Sequence, residues 1–116
     1  MPSRRNPLNL NPLQLKTLTL LQELARLAGT PPADSGENEG GLAISELPHP
    51  HGDHFHLGEA VVAARDATGL RNPGVWAALE RKGLIRPQLP EAVILTPLGQ
   101  GYDTGMREAI LHRAEH

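Results

Sequence analysis

The sequence predicts a mainly α-helical domain of the α+β class with one small β-hairpin. A leucine-rich segment over 12–28 follows Asn11 and has Pro at its first position, which is how many helices begin. Two short segments that begin with apolar residues, 84–86 and 93–96, flank a gap that contains proline, as the strands of a hairpin do. Aromatic residues make up only 3% of the chain, so the core must be built from aliphatic side chains. A core of aliphatic side chains favours helices over sheets.

The length of 116 residues predicts a single domain. We expect residues 1–10 to form a disordered N-terminal arm and residues 11–116 to form the domain. Within the domain, residues 29–41 are rich in Gly, Pro and acidic side chains and contain no apolar residue larger than Ala. Such a segment cannot be buried, so we expect it to be a flexible loop.

Several classes of protein are excluded by what the sequence lacks. Without cysteine there can be no disulfide, thiolate metal site or cysteine nucleophile. No apolar run approaches the ~20 residues of a membrane span, and no signal peptide begins the chain, so we expect a cytoplasmic protein that does not associate with membranes. A phosphate-binding glycine loop, a nucleophile elbow and paired acids are also missing, and we therefore expect no enzymatic activity.

The segment 12–28 has more leucine than one buried helix face requires. Its apolar side chains cover more than the ~100° stripe of an amphipathic helix, and they are Leu13, Leu15, Leu18, Leu20, Leu21, Leu24 and Leu27. Either the helix is enclosed within its own domain, or part of its leucine face packs on a second subunit as a homodimer. The sequence leaves both alternatives open.

Two helices are expected in the middle of the chain. Alanine and valine residues at helical spacing, with Gly69 as C-cap, predict a helix over 59–68. A helix over 72–82 begins at Asn72 as N-cap and ends before Gly83. Its inward stripe is predicted to be Asn72, Val75, Trp76 and Leu79, and its outward face Gly74, Ala77, Ala78 and Arg81.

The remaining elements are strands and a last helix. We expect a strand over 54–57 to join 84–86 and 93–96 in one small sheet, while 42–47 forms either a short helix or an edge strand. A final helical region over 97–113 is capped by Thr96 and interrupted by Gly99, Gly101 and Gly105. Its apolar line is Tyr102, Met106 and Ile110, which recur every four residues.

Over about residues 57–105 the chain resembles the MarR-type winged-helix regulators. The matching positions are Leu79 as the last core position of the recognition helix, Gly83 as its cap, Leu84 and Ile85 in the first wing strand, Val93 to Leu95 in the second, and Thr96-Pro97-Leu98-Gly99 opening the next helix. The resemblance implies a winged helix-turn-helix with a β-hairpin wing. It also implies a homodimer built by the first and last helices, and regulation of transcription through double-stranded DNA.

The charge distribution is compatible with that function, although the net charge is −2. Between residues 60 and 90 there are five bases against two acids, Asp66 and Glu80. We predict that the five basic residues contact nucleic acid; they are Arg65, Arg71, Arg81, Lys82 and Arg86. The alternative is a winged helix that binds another protein and not DNA, because Gly74, Ala77 and Ala78 offer no side chain that reads bases.

A short tract of histidines is the one segment that could bind a metal ion. It contains His49, His51, Asp53, His54 and His56, and imidazole is a ligand for divalent transition metals. In a strand over 54–57, His54 and His56 would project from one face with Phe55 on the other. We predict His51, His54 and His56 as ligands of a sensor site; the alternative is that these histidines are simply solvated. No other cofactor is predicted.

Overall fold

One long helix and two small antiparallel sheets organise the chain in the computed structural model, which describes residues 6–32, 36, 39–48, 52–88 and 92–113. In chain order the elements are α1 (Pro12–Ala28), β1 (Leu42–Ile44), β2 (His54–Leu57), β3 (Ala60–Ala63), a 3₁₀ helix (Ala64–Arg71), α2 (Pro73–Arg81), β4 (Ile85–Gln88), β5 (Ala92–Leu95), α3 (Pro97–Gly101), α4 (Arg107–Ile110) and β6 (His112–Arg113). The predicted α+β class is confirmed. Residues 1–5 of the expected arm, and 33–35 and 37–38 of the expected loop, lie outside the described residues.

The helix α1 has the bounds that its start signals predict. The Asn11 side chain accepts a hydrogen bond from the backbone N–H of Gln14 at 2.8 Å, and the Gln14 side chain accepts one from the backbone N–H of Asn11 at 3.0 Å. This reciprocal capping box satisfies two amide groups that the first turn would otherwise leave unpaired.

The chain's own elements enclose α1. It packs against the 3₁₀ helix, α2, α3 and strands of both sheets. Leu18, Leu20 and Leu21 are fully buried, and Leu27 is the only leucine of the helix that is exposed, at 42%. Six of the seven leucines are therefore buried or half-buried within the chain, as the first alternative predicts, and the homodimer stays a prediction.

The first sheet has the strand order β1-β5-β4. Both pairings are antiparallel, with Leu95 opposite Leu42 on one side and Ile85 on the other. The hairpin predicted from the runs 84–86 and 93–96 is present as β4 and β5. The third strand is β1, from the segment that the sequence left open between a helix and an edge strand.

The prediction that 54–57 completes this sheet is wrong. The strand β2 belongs to a second sheet, of order β2-β3-β6, and pairs with β3 directly after it. Only Gly58 and Glu59 separate the two strands, and Gly58 has φ +59°, which a two-residue hairpin turn with Gly in its first position requires. A local partner is therefore available to β2 before any distant one.

The predicted helix over 59–68 is also wrong. Residues Ala60–Ala63 form β3, and the chain turns helical only at the 3₁₀ helix that follows. The adjacent β-branched residues Val61 and Val62 favour a strand, and Val62 is fully buried against the core. Alanine spacing alone could not reveal the β2 partner that decides the conformation.

Gly69 is needed for close packing and not as a helix cap. It lies inside the 3₁₀ helix, where a Cβ atom would stand 1.9 Å from the Thr17 hydroxyl oxygen of α1. The absent side chain lets the 3₁₀ helix lie directly on α1.

The helix α2 is capped at both ends as predicted. The Asn72 side chain accepts from the N–H of Gly74 at 2.9 Å. At the other end Gly83 has φ +80°. The N–H of Gly83 donates to the backbone carbonyl of Glu80, and the N–H of Leu84 donates to the backbone carbonyl of Leu79. These bonds form the glycine-capped turn that leads from α2 into β4.

The prediction of one final helix over 97–113, interrupted at its glycines, is wrong. The region contains α3, α4 and the short strand β6, with an irregular segment between the helices. Gly99, Gly101 and Gly105 weaken helix formation, and Gly105 has φ +68°. In the segment between the helices the Asp103 carboxylate accepts from the N–H of Gly105 at 3.1 Å, which favours a turn.

Residues 6–10 of the N-terminal segment lie against the domain. Leu10 is buried, and the N–H of Leu8 donates to the Tyr102 hydroxyl at 3.0 Å. That hydroxyl donates to the Asn6 side chain at 2.7 Å. Asn6 and Asn9 have φ near +60°, a conformation that Asn adopts more readily than most residues.

Candidate nucleic-acid interface

The five basic residues predicted to contact nucleic acid lie on three consecutive elements and the turn between two of them. Arg65 and Arg71 are on the 3₁₀ helix, Arg81 ends α2, Lys82 follows it, and Arg86 is in β4. The four arginines are exposed, and Lys82 is half-buried. The helix α2 packs on both the 3₁₀ helix and β4, so it connects the elements that carry these residues.

Lys82 has a structural role in this region. Its ammonium group donates a hydrogen bond to the backbone carbonyl of Leu8 at 2.9 Å. The bond ties the N-terminal segment to the carboxyl end of α2, where a positive charge is also favourable for the helix dipole. Nothing in the sequence predicts this contact, because 74 positions separate the two residues.

One of the two acids in the basic segment is neutralised inside the fold. Asp66 is buried, and its carboxylate accepts a hydrogen bond from the Lys16 ammonium at 2.8 Å. The ion pair joins the 3₁₀ helix to α1 and takes the Asp66 charge out of the local surface. Glu80 is then the exposed acid of the segment.

The outward face of α2 differs from the prediction at three positions, Pro73, Ala78 and Glu80. Ala78 is only 4% exposed, because it packs inside, whereas Glu80 is exposed. The exposed residues of the helix are Pro73, Gly74, Ala77, Glu80 and Arg81. Gly74 and Ala77 offer no polar group to a base edge, but they allow the helix backbone to approach a partner closely.

The inward stripe of α2 holds the helix in place. Val75 and Leu79 are buried as predicted. Asn72 was predicted to lie on the inward stripe and is instead exposed, because it precedes the helix and its side chain caps the first turn. Trp76 is half-buried, and its indole N–H donates to the carbonyl of Leu70 at 2.9 Å. This bond fixes α2 against the end of the 3₁₀ helix.

An open cleft of about 390 Å³ lies beside the carboxyl end of α2. Its lining combines the charged side chains Glu80 and Arg86 with the apolar side chains Ile85 and Leu98, and Leu98 is 51% exposed. The cleft is lined by residues of the turn after α2, of β4 and of the start of α3.

A buried carboxylate elsewhere joins distant parts of the chain. Glu23 of α1 is 3% exposed and accepts hydrogen bonds from Arg26 and, at 2.8 Å, from Arg107. The hydrogen bond from Arg26 holds the pKa of the Glu23 carboxyl below its usual value; burial acts in the opposite direction, and Arg107 adds to the lowering. The Arg26 contact at a spacing of three is visible in the sequence. The Arg107 contact is not, since it spans 84 positions.

The predicted metal site is only partly covered by the described residues. His49 and His51 lie outside them, whereas His54 and His56 project from one face of β2 with Phe55 buried on the other. The two imidazole Nε2 atoms are 3.1 Å apart. In the part of the chain that the structure describes, no three His, Cys, Asp or Glu side chains form a group able to hold a metal ion.

No family model matches the chain, and neither a curated protein nor a solved structure matches it. Among the described residues, no helix has both the length and the apolar character needed to cross a membrane.

Proposed function

We propose that this chain is a winged-helix module that binds double-stranded DNA, mainly through its phosphate backbone, as a small regulator of transcription. The observation that carries the proposal is the position of four exposed arginines on the 3₁₀ helix, α2 and β4. These elements adjoin one another, and the last of them opens the β4-β5 hairpin that would serve as the wing.

The order of elements supports the same proposal. A 3₁₀ helix, a well-capped helix and an antiparallel hairpin follow one another, and β1 closes the sheet beside β5. In this reading α2 is the recognition helix, and the 3₁₀ helix replaces the first helix of a helix-turn-helix. The β2-β3 hairpin is then an addition between β1 and that motif.

The side chains of α2 favour phosphate contact over base reading. Arg81 is the one basic residue of α2. Because Gly74 and Ala77 are small, the exposed face of the helix is nearly flat. Contacts to phosphate fix the position of a protein on DNA without reading the sequence, and they make the affinity depend on salt. We therefore expect weak discrimination between DNA sequences.

A salt titration of duplex binding tests the proposal. With four arginines on phosphates, the slope of log K against log salt is about −3 to −4. Arg71→Ala and Arg81→Ala each reduce its magnitude by about 1. Arg71→Lys and Arg81→Lys keep the charge and serve as controls that retain the slope. The absence of binding at low salt, or a slope unaffected by both alanine variants, would contradict the proposal.

The second candidate is a module that binds another protein through α2. It is favoured by the exposed Pro73, Gly74 and Ala77, which form a flat surface without base-reading groups. Glu80 on the same helix is also unfavourable near phosphate. The salt titration separates the two functions, because a protein-binding module shows no steep salt-dependent affinity for DNA.

A further inference from the structure

The second sheet has one face in the core and one toward solvent, and the solvent face carries three histidines. Phe55 and Leu57 of β2 are buried, whereas His56 is exposed and His54 is half-buried. In the register of the sheet, His56 pairs with Val61, and Val61 pairs with His112 of β6. Residues directly opposite one another share a face, so His54, His56 and His112 all belong to the solvent face.

Two of these imidazoles are hydrogen-bonded to each other through their Nε2 atoms, and a metal ion bound there would take the place of the proton that they share. The Nε2 atoms of His54 and His56 are 3.1 Å apart, and the ring planes are nearly perpendicular, at 80°. A divalent metal ion about 2.1 Å from each nitrogen would subtend an N–metal–N angle of roughly 95° at this separation. That angle lies close to the right angle of a square or tetragonal site, a geometry of Cu²⁺ and Ni²⁺.

Asp53 supplies the outer support that metal-bound histidines usually have. Its carboxylate oxygen lies 3.4 Å from Nδ1 of His54. For both Nε2 atoms to offer a lone pair, each ring must carry its proton on Nδ1. A carboxylate beside Nδ1 favours that tautomer and orients the ring.

We infer that His54 and His56 chelate a divalent transition metal ion through their Nε2 atoms, with Asp53 as the positioning residue for His54. This inference concerns the second sheet and does not rest on the proposed DNA binding.

A hydrogen bond between backbone groups joins the site to the 3₁₀ helix. The carbonyl of Asp53 accepts a hydrogen bond from the N–H of Ala64, the first residue of that helix, at 2.8 Å. Metal binding requires β2 to be extended and Asp53 to be in place, so it stabilises the folded state. The histidines of an unfolded chain are not held together in this way.

Calorimetric titration of the untagged full-length protein with Cu²⁺, Ni²⁺ and Zn²⁺ tests the inference. We expect one ion per chain, with Cu²⁺ bound most tightly, and a higher Tm in the presence of metal. His54→Ala and His56→Ala should each weaken binding by at least about tenfold and remove the rise in Tm, and Asp53→Asn should weaken binding less.

The matched control is His112→Ala, which removes an imidazole from the same face two strands away. We expect it to bind metal as the wild type does. Equal affinity of the wild type and the double variant His54→Ala, His56→Ala would overturn the inference. A loss in His112→Ala as large as in that double variant would overturn it as well. Circular dichroism of each variant without metal verifies that the fold is retained.

Discussion

The two sheets of the molecule differ in how many of their faces are covered. In the first sheet, Val93, Ile94 and Leu95 of β5 are buried in succession, so both faces of its central strand are closed. In the second sheet, burial alternates along β2, with Phe55 inside and His56 outside. The first sheet is therefore a scaffold that supports α2 and the turn after it. The second sheet can present side chains to a ligand at little cost to the core.

The largest expected effect contrasts the two faces of β2. Phe55→Ala should lower the free energy of unfolding by about 3 to 5 kcal/mol, because it opens a cavity under the second sheet. His56→Ala, one position along, should change it by no more than about 0.5 kcal/mol. Urea unfolding followed by the fluorescence of Trp76 measures both. Similar losses in the two variants would show that the second sheet does not have an open face.

A second contrast concerns the junction of the first sheet with α3. A Cβ atom on Gly99 would stand 2.3 Å from the backbone carbonyl oxygen of Leu84, whereas a Cβ on Gly101 meets nothing within 4 Å. Gly99→Ala should therefore cost about 1 to 3 kcal/mol, because backbone must move. Gly101→Ala should be neutral or stabilise by up to about 1 kcal/mol. Equal thermal stability of the two variants would contradict this packing.

The third prediction concerns the pH dependence of the ion pair between Glu23 of α1 and Arg107 of α4. The helix α4 leads into β6 of the second sheet. Glu23 has a lowered pKa, so its contribution to stability is complete at neutral pH and is lost as the pH falls through the folded-state pKa. Glu23→Gln should cost about 1 to 2 kcal/mol at pH 7 and much less near pH 3. Glu108→Gln, an exposed substitution on α4, is the control. A cost that does not change with pH would argue against the ion-paired carboxylate.

The smallest expected effect concerns the acid on the α2 surface. Glu80→Gln should strengthen duplex binding by about 0.5 kcal/mol, or roughly twofold, because it removes a negative charge beside Arg81 and Arg86. Glu108→Gln changes the net charge equally and should leave affinity unchanged. Fluorescence anisotropy at one fixed salt concentration compares them. Equal gains would mean that only the total charge matters and not the α2 surface.

The parts of the fold that could be predicted depend on local chemistry. Asn11 and Asn72 cap the residues directly after them, and Gly83 ends the helix directly before it, so the bounds of α1 and α2 follow from a few neighbouring residues. The β4-β5 hairpin is also local. Each of these elements is determined within a short span of the sequence.

The elements and contacts that could not be predicted depend on partners distant in sequence, or on segments whose residue pattern fits both a helix and a strand. The segment Ala60–Ala63 fits a helix by alanine spacing and a strand by its valines, and pairing with β2 decides between them. The pairing of β1 with β5 spans half the chain. At the candidate interface, the exposed arginines could be named from the sequence, but the tether from Lys82 to Leu8 and the burial of Ala78 required the tertiary structure.

The most direct test of DNA binding is an NMR titration of the ¹⁵N-labelled full-length chain with duplex DNA at low salt. We expect the amide shift changes to concentrate on the 3₁₀ helix, α2 and β4, with the largest near Arg71 and Arg81. Strands β2 and β6 of the second sheet should be unaffected. Shift changes centred on the second sheet, or none at any DNA concentration, would contradict DNA binding by the 3₁₀ helix, α2 and β4.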